Sequence, residues 1–467
     1  MVKVVLIGAG STSFSPSVLA SMVQTPELSG STLALVDIDP GILHTLANVA
    51  ERVVAQTGAD LRIEAATDRR EVLPGADFVI ATFAAGGTHG WLLDVDIPAR
   101  YGLAQPVGDS VGPGGLSRAL RHVPVAVEIA RDMAELCPRA YFFNYTNPMT
   151  ALCRAVRREV PSIQSIGLCV GPELTRRAMA SYLGLPAAAL DYHGAGLNHC
   201  FWMLDCRYQG HDVYGLARDL ARGGAAARRA GEALAALKRD DPQLRIADGA
   251  MGAHERPMRF CLELLDTLGY FPGPGDRHVT EFFPEFFPGG PAADPHYGLD
   301  RMPVSAIVEE KATLRTSLEA QASGAAPLDP KLIAGEVGHS EEVIAIITAI
   351  VRDQGLRLYG NLPNRGLVAN LPPEAIVEVP LLLGAYGWRA FGVGDLPASI
   401  LPYLTRRAAT VELTVEAALT GDRAVALQAL LADGWVRSVA EAHALFDDLL
   451  QAHADDLPQF RPALVAL

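Results

Sequence analysis

The stretch VKVVLIGAGSTSFSP, residues 2–16, decides the fold. An apolar run ends at Gly8 and Gly10, and a helical pattern follows from about Pro16 to Val23. Two glycines between a strand and a helix let the backbone turn tightly and approach a pyrophosphate, which then sits among the unpaired N–H groups of the helix start. Ser13 stands where a third glycine is usual, so Gly8, Gly10, Ser11 and Ser13 form the candidate phosphate cradle of an incomplete fingerprint. Asp37 completes it. It closes the second apolar run, LALVD, at the place where an acid accepts hydrogen bonds from the adenosine ribose. A carboxylate there also repels a 2′-phosphate, which favours NAD over NADP; a flavin is the weaker alternative.

Working outward, residues 33–36, 78–83, 140–143 and 163–168 repeat the pattern of short Val/Ile/Leu/Phe runs spaced by helix-length segments. That pattern predicts a parallel sheet covered on both faces. Beyond residue 170 it loosens. An Ala/Arg-rich helical stretch at 216–239 leads to a Gly/Pro/Phe-rich segment at 269–291, and helices prevail after 307. Val411, Val415, Ala418 and Leu419 mark one apolar face in the run 401–419. The fold class expected is α/β: a Rossmann-like, doubly wound NAD-binding domain over 1–170, followed by a mixed, mainly helical domain over 171–467 for substrate, metal and oligomer contacts.

Composition limits the partners. The 467-residue chain has 53 acidic and 39 basic residues and a formal charge of -14, which disfavours nucleic acid. No apolar run reaches the roughly 18 residues of a membrane span, and no leader pattern precedes the first strand. A cytoplasmic protein with a small-molecule substrate is expected. Six cysteines are too sparse for a disulfide framework.

Four downstream features do not suit an ordinary dehydrogenase. NYTNP, residues 144–148, ends a strand where the sheet should meet the nicotinamide and substrate, making Asn144 a candidate cofactor contact and Asn147 a candidate sugar ligand. GLCVGPE places Cys169 at another strand end, and GLNHCFW supplies Asn198 and His199. A sulfur and an imidazole can hold a divalent metal such as Mn. The spacing alone leaves open a buried cysteine and an ordinary histidine.

With these motifs, the chain resembles the family 4 glycoside hydrolases, a group that needs NAD and departs from two-carboxylate glycosidase chemistry. The resemblance also rests on DSVGPGGLSRALRHVP (109–124), NLPNRGLVANLP (361–372) and LTVEAALTGDRAVALQALLAD (413–433). It implies a glycosidase acting by oxidation at C3, elimination across C1–C2, water addition and re-reduction. It further implies Cys169 and His199 as metal ligands, Asn147 and Asn198 as substrate contacts, and a homodimer or homotetramer. Two departures stand out. Phospho-α-glucosidases carry an acid after the metal cysteine, where this chain has Val170, which cannot donate a proton. Their tyrosine base is also absent, and GPGDRHVTEFFPEFF (273–287) offers His278, Asp276 and Glu281 instead. This segment resembles the branch acting on unphosphorylated sugars, so an α-linked galactoside or hexuronide is expected before a 6-phospho-glycoside. Arg256, Arg259, Arg277 and Arg301 are candidate partners for a substrate carboxylate or phosphate. A lactate- or malate-type dehydrogenase is the rival on the same fold, and an NAD-sensing regulator is the rival without catalysis.

Overall fold

The computed structural model describes residues 1–239, 258–335 and 341–461. Six parallel strands carry the first half: β1 (Lys3–Ile7), β2 (Ser31–Val36), β3 (Leu61–Ala66), β4 (Phe78–Ala81), β5 (Tyr141–Asn144) and β6 (Gln164–Gly167), in the order 3-2-1-4-5-6. This is the doubly wound order. Val5, Ile7, Val79 and Ala81 point into one apolar core, and Val4, Leu6, Phe78 and Ile80 into the other. Burial on both faces explains why these strands read as continuous apolar runs.

The second half extends the same sheet. Its strands are β7 (Leu190–Leu197), β8 (Cys200–Tyr208), β9 (His211–Asp212), β10 (Phe271–Gly273), β11 (Leu356–Pro363), β12 (Ile376–Gly384) and β13 (Gly387–Ala390). Together they make one 13-stranded sheet, joined where Asn361 of β11 pairs with Gly167 of β6. The added strands run antiparallel to their neighbours. Around them helices dominate, so the second half is mixed and helix-rich as expected. The apolar stripe at 401–419 is the helix Leu401–Thr420, which packs with Arg423–Asp433 on the helix Gly112–Leu136 of the first half. Residues 216–239 form two helices, Tyr214–Arg222 and Gly224–Arg239. Among the described residues no helix is long and apolar enough to cross a membrane.

Candidate active site

The loops that leave β1, β2, β4, β5 and β6 gather at the carboxyl edge of the parallel sheet, where open α/β sheets bind ligands. After β1, Gly8 has φ +86, and a Cβ there would lie 2.7 Å from the backbone of Thr82 and Phe83. A Cβ on Gly10 would lie 2.6 Å from Asp37 Oδ2. The turn therefore requires both glycines. Ser11 Oγ accepts the Phe14 N–H at 3.1 Å at the start of the helix Phe14–Val23, and Ser13 occupies the N-cap position without a side-chain hydrogen bond.

Asp37 closes this corner from β2. Its carboxylate accepts Gly10 N–H at 2.6 Å and Asp39 N–H at 3.0 Å. A carboxylate has roughly four acceptor sites, so ribose hydroxyls can still be received. Asp39 adds a second negative charge, held below its usual pKa by the Gly41 N–H that it accepts while capping the helix Pro40–Thr57. Asp37→Ala is expected to weaken NAD binding about tenfold through loss of the ribose acceptor. Asp37→Asn, which keeps one acceptor oxygen, should lose less. Calorimetry giving equal affinities for all three proteins would remove Asp37 from the cofactor site.

A cavity of about 850 Å³ opens in front of this corner, lined by Gly8, Gly10, Ser11, Asp37, Tyr145 and Asn147 among others. That volume lies within the range of ligand sites, roughly 300–1,000 Å³. Asn144 is not on its wall. The Asn144 amide turns inward, donating to Thr146 O at 2.9 Å and accepting Thr146 N–H at 3.2 Å, and so shapes the loop that presents Asn147.

Deeper in, the second half contributes. β7 and β8 form a hairpin whose tip is Asn198 and His199, and the short helix Asp276–Val279 brings His278 against it. The two imidazoles lie 4.1 Å apart, centre to centre. Ligand atoms of Asp109, His199 and His278 all fall within 4.8 Å of one another. Ser110 Oγ bridges Asp109 Oδ1 at 2.7 Å and His199 Nδ1 at 2.8 Å, while Asn147 Nδ2 donates to Asp109 Oδ2 at 2.9 Å. Burial disfavours a charged Asp109, yet His199, His278 and Arg118 hold its pKa well below the carboxylate range. Burial likewise opposes a charged His199, and its contacts with Cys169 and Asp109 outweigh it, keeping its pKa well above the usual value. Cys169, just past β6, accepts the Gly171 N–H at 3.3 Å and lies beside His199.

Of the three acid–base candidates in the 273–287 segment, only His278 joins this cluster. Asp276 is fully buried and accepts the Phe260 and Cys261 N–H groups at 2.9 and 3.0 Å, capping the helix Arg259–Leu268. Glu281 is buried too; burial pushes its pKa up to about 8, and Oε1 accepts Val107 and Gly108 N–H at 2.7 and 2.9 Å. It props the loop that carries Asp109. The arginines proposed from the sequence are also engaged elsewhere: Arg259 with His296 O, Arg277 with Met302 Sδ, and Arg301 with Asp96. Arg256 lies outside the described residues.

Two candidate positions escaped the sequence reading. Asp109 opened a quoted motif without being singled out. Glu378 is fully buried on β12, where an acid inside the apolar run IVEVPLLLG was the available signal. Burial pushes its pKa up to about 7, and it accepts Asn361 Nδ2 at 2.8 Å beside Asn198. The amide atoms of Asn198 and the Oδ1 of Asn147 are buried without well-formed hydrogen bonds. Such groups are costly unless a ligand meets them.

Known proteins resemble this chain over nearly its whole length. Residues 3–185 match the model of "Family 4 glycosyl hydrolase", and residues 194–436 match its "C-terminal domain". An "Alpha-galactosidase" of Bacillus subtilis (strain 168) is 30% identical over 470 residues, covering 99% of this chain and 100% of the relative. An "Alpha-glucosidase" of Erwinia rhapontici is 32% identical over 445 residues, covering 92% of this chain and 93% of the relative. A crystal structure of a "6-phospho-alpha-glucosidase from Gut Microorganisms", in complex with NAD and Mn2+, superposes with a TM-score of 0.80 at 21% identity, covering 98% of this chain and 100% of that one.

Proposed function

Because the chain belongs to the family 4 glycosyl hydrolases and is a glycosidase, we propose that it hydrolyses an unphosphorylated, α-linked galactoside or hexuronide with NAD and a divalent cation, Mn by preference. The observation that carries this reading is the convergence of Asp109, Cys169, His199 and His278 beside Asn147, which itself lines the cavity faced by Gly8, Gly10 and Asp37. The glycine turn fits a dinucleotide, since a Cβ at Gly10 would collide with Asp37, the candidate ribose acceptor, and one at Gly8 would push the turn off the strand beside it. Sulfur, imidazole and carboxylate together suit a divalent transition metal. When bound, the dinucleotide supplies a hydride acceptor and the cation a Lewis acid.

The chain's own residues do the rest. Cys169, His199 and Asp109 hold the cation. Gly8, Gly10, Ser11 and Ser13 receive the pyrophosphate, and Asp37 the ribose. Asn147 Oδ1, buried without a hydrogen bond, and the Asn198 amide beside Glu378 orient the sugar by its hydroxyls. A nitrogen of His278 takes the C2 proton. The relatives named for α-galactosidase and α-glucosidase activity support a substrate without phosphate. The described cysteines are all free, which suits a reducing cytoplasm. We expect a homodimer or homotetramer, to be sized by sedimentation.

Turnover in D2O tests the chemistry. Direct displacement changes bonds only at C1 and the leaving oxygen, so C2–H survives it. Product carrying deuterium at C2 is expected, together with a primary isotope effect from substrate deuterated at C2 or C3. Absence of both signals, with chemistry shown to limit the rate, overturns the mechanism. A panel of α-galactosides, α-hexuronides and 6-phospho-glycosides, run under reducing conditions with and without NAD and Mn, tests the substrate assignment.

A further inference from the structure

The dinucleotide cavity has a wall that the glycine turn does not explain. The helix Val304–Ser323 of the second half supplies Val308, Lys311, Ala312 and Arg315 to the same cavity as Gly10, Ser11 and Asp37. At one end Arg315 Nη1 lies 3.1 Å from Asp39 Oδ2, the carboxylate that caps Pro40–Thr57. One turn earlier Lys311 Nζ lies 3.2 Å from Thr88 Oγ1, on the lip where the helix Gly87–Arg100 begins. The helix thus spans the mouth from the adenosine corner to the loop after β4.

Lys311 has no carboxylate partner among the described residues, and its charged neighbour is another cation. Desolvation at the cavity wall and the Arg118 guanidinium both lower its pKa. Lys311 and Arg118, two of the four cationic side chains that line the cavity, lie close together, and Lys311, without a carboxylate partner, marks the place for an anion. Val308, which is 42% exposed, adds an apolar contact on the same face.

We propose that Val304–Ser323 is the outer wall of the dinucleotide site and that Lys311 neutralises the pyrophosphate from the side opposite the glycine turn. This rests on the reading of the chain as an NAD-dependent enzyme. It means that the cofactor is held between the two halves of the chain. The Arg315–Asp39 pair, about half exposed on both sides, contributes little energy and serves to set the helix in place.

Calorimetry on the full chain tests this with NAD, with ADP-ribose, which keeps the pyrophosphate but lacks nicotinamide, and with adenosine, which lacks phosphate. Lys311→Met should weaken NAD and ADP-ribose alike by about tenfold or more, the size of one charge-assisted hydrogen bond. Adenosine affinity should not change, the salt dependence of ADP-ribose binding should flatten, and Lys311→Arg should recover most of the loss. Unchanged ADP-ribose affinity in Lys311→Met overturns the assignment. So does an equal loss for adenosine, which would mean packing. Wild-type protein that binds neither NAD nor ADP-ribose would overturn the underlying reading as well. Matched thermal melts for the variants show whether the fold is intact.

Discussion

His199→Ala is expected to lower turnover by about three orders of magnitude or more, because a bound cation contributes several kcal/mol of charge stabilisation that has no substitute in this site. His199 sits at the centre of the cluster, with Ser110, Asp109, His278 and Cys169 all against it. The same variant should bind Mn far more weakly by calorimetry while keeping its NAD affinity, since Gly8, Gly10 and Asp37 line a cavity whose wall does not include His199. Cys169→Ser should follow the same pattern, with a weaker oxygen donor in place of sulfur. If both variants retain turnover and its metal dependence, the ligand assignment is wrong. His278→Gln serves as the contrast: slower C2 exchange at unchanged Mn affinity marks a proton acceptor, and lost Mn affinity marks a ligand instead.

The second large effect is on stability. Asp94, on the helix Gly87–Arg100, is fully buried and accepts both ends of the Arg121 guanidinium at 2.9 and 2.7 Å and Ser117 Oγ at 2.7 Å. His453 Nε2, from beyond the helix Val439–Ala452, lies 3.1 Å from it. This network fastens the helix after β4, and with it the cavity lip at Thr88, to the C-terminal end of the fold. Asp94→Ala is expected to cost about 3–5 kcal/mol, because it leaves Arg121 buried without an anion. A double change of Asp94 to Leu and Arg121 to Met, which removes both charges, should cost clearly less. The pH dependence follows. Burial alone would raise the Asp94 pKa, but His453 and Arg121 lower it to about 2 from an ordinary 3.8. A depressed carboxylate stabilises the fold above its unfolded pKa, and that stability is lost as pH falls from about 4 toward 2. Denaturant midpoints measured across this window should fall more steeply in wild-type protein than in Asp94→Ala. Equal slopes would show that Asp94 is not ionised as described.

What the sequence revealed depended on how local the signal was. β1, β2, β4, β5 and β6 were legible because strands buried on both faces must be apolar throughout. β3 was missed, and its alternation of Arg62 and Glu64 with apolar residues shows why: it is the edge strand, open on one side. β7 and β11 were missed for a different reason. LDYHGAGL and LRLYGNLP carry glycines and polar residues that weaken a strand pattern, and what makes them strands is pairing with their more apolar neighbours β8 and β12. Individual site residues were visible from motif spacing, but their grouping was not. Nothing in the order of residues says that His278 turns toward His199 while Asp276, two positions earlier, turns away to cap a helix. That choice is made by tertiary packing around the Arg259–Leu268 helix, whose free N–H groups Asp276 satisfies.

His199 also occupies a left-handed backbone conformation, φ 63, at the tip of the β7–β8 hairpin. Glycine or asparagine would rest there with less strain. The cluster outweighs that preference: without the His199 imidazole the buried Asp109 carboxylate would lose the partner that most favours its charge. The hairpin tip therefore holds a backbone shape that its own residue does not favour, and the groups around position 199 keep it there.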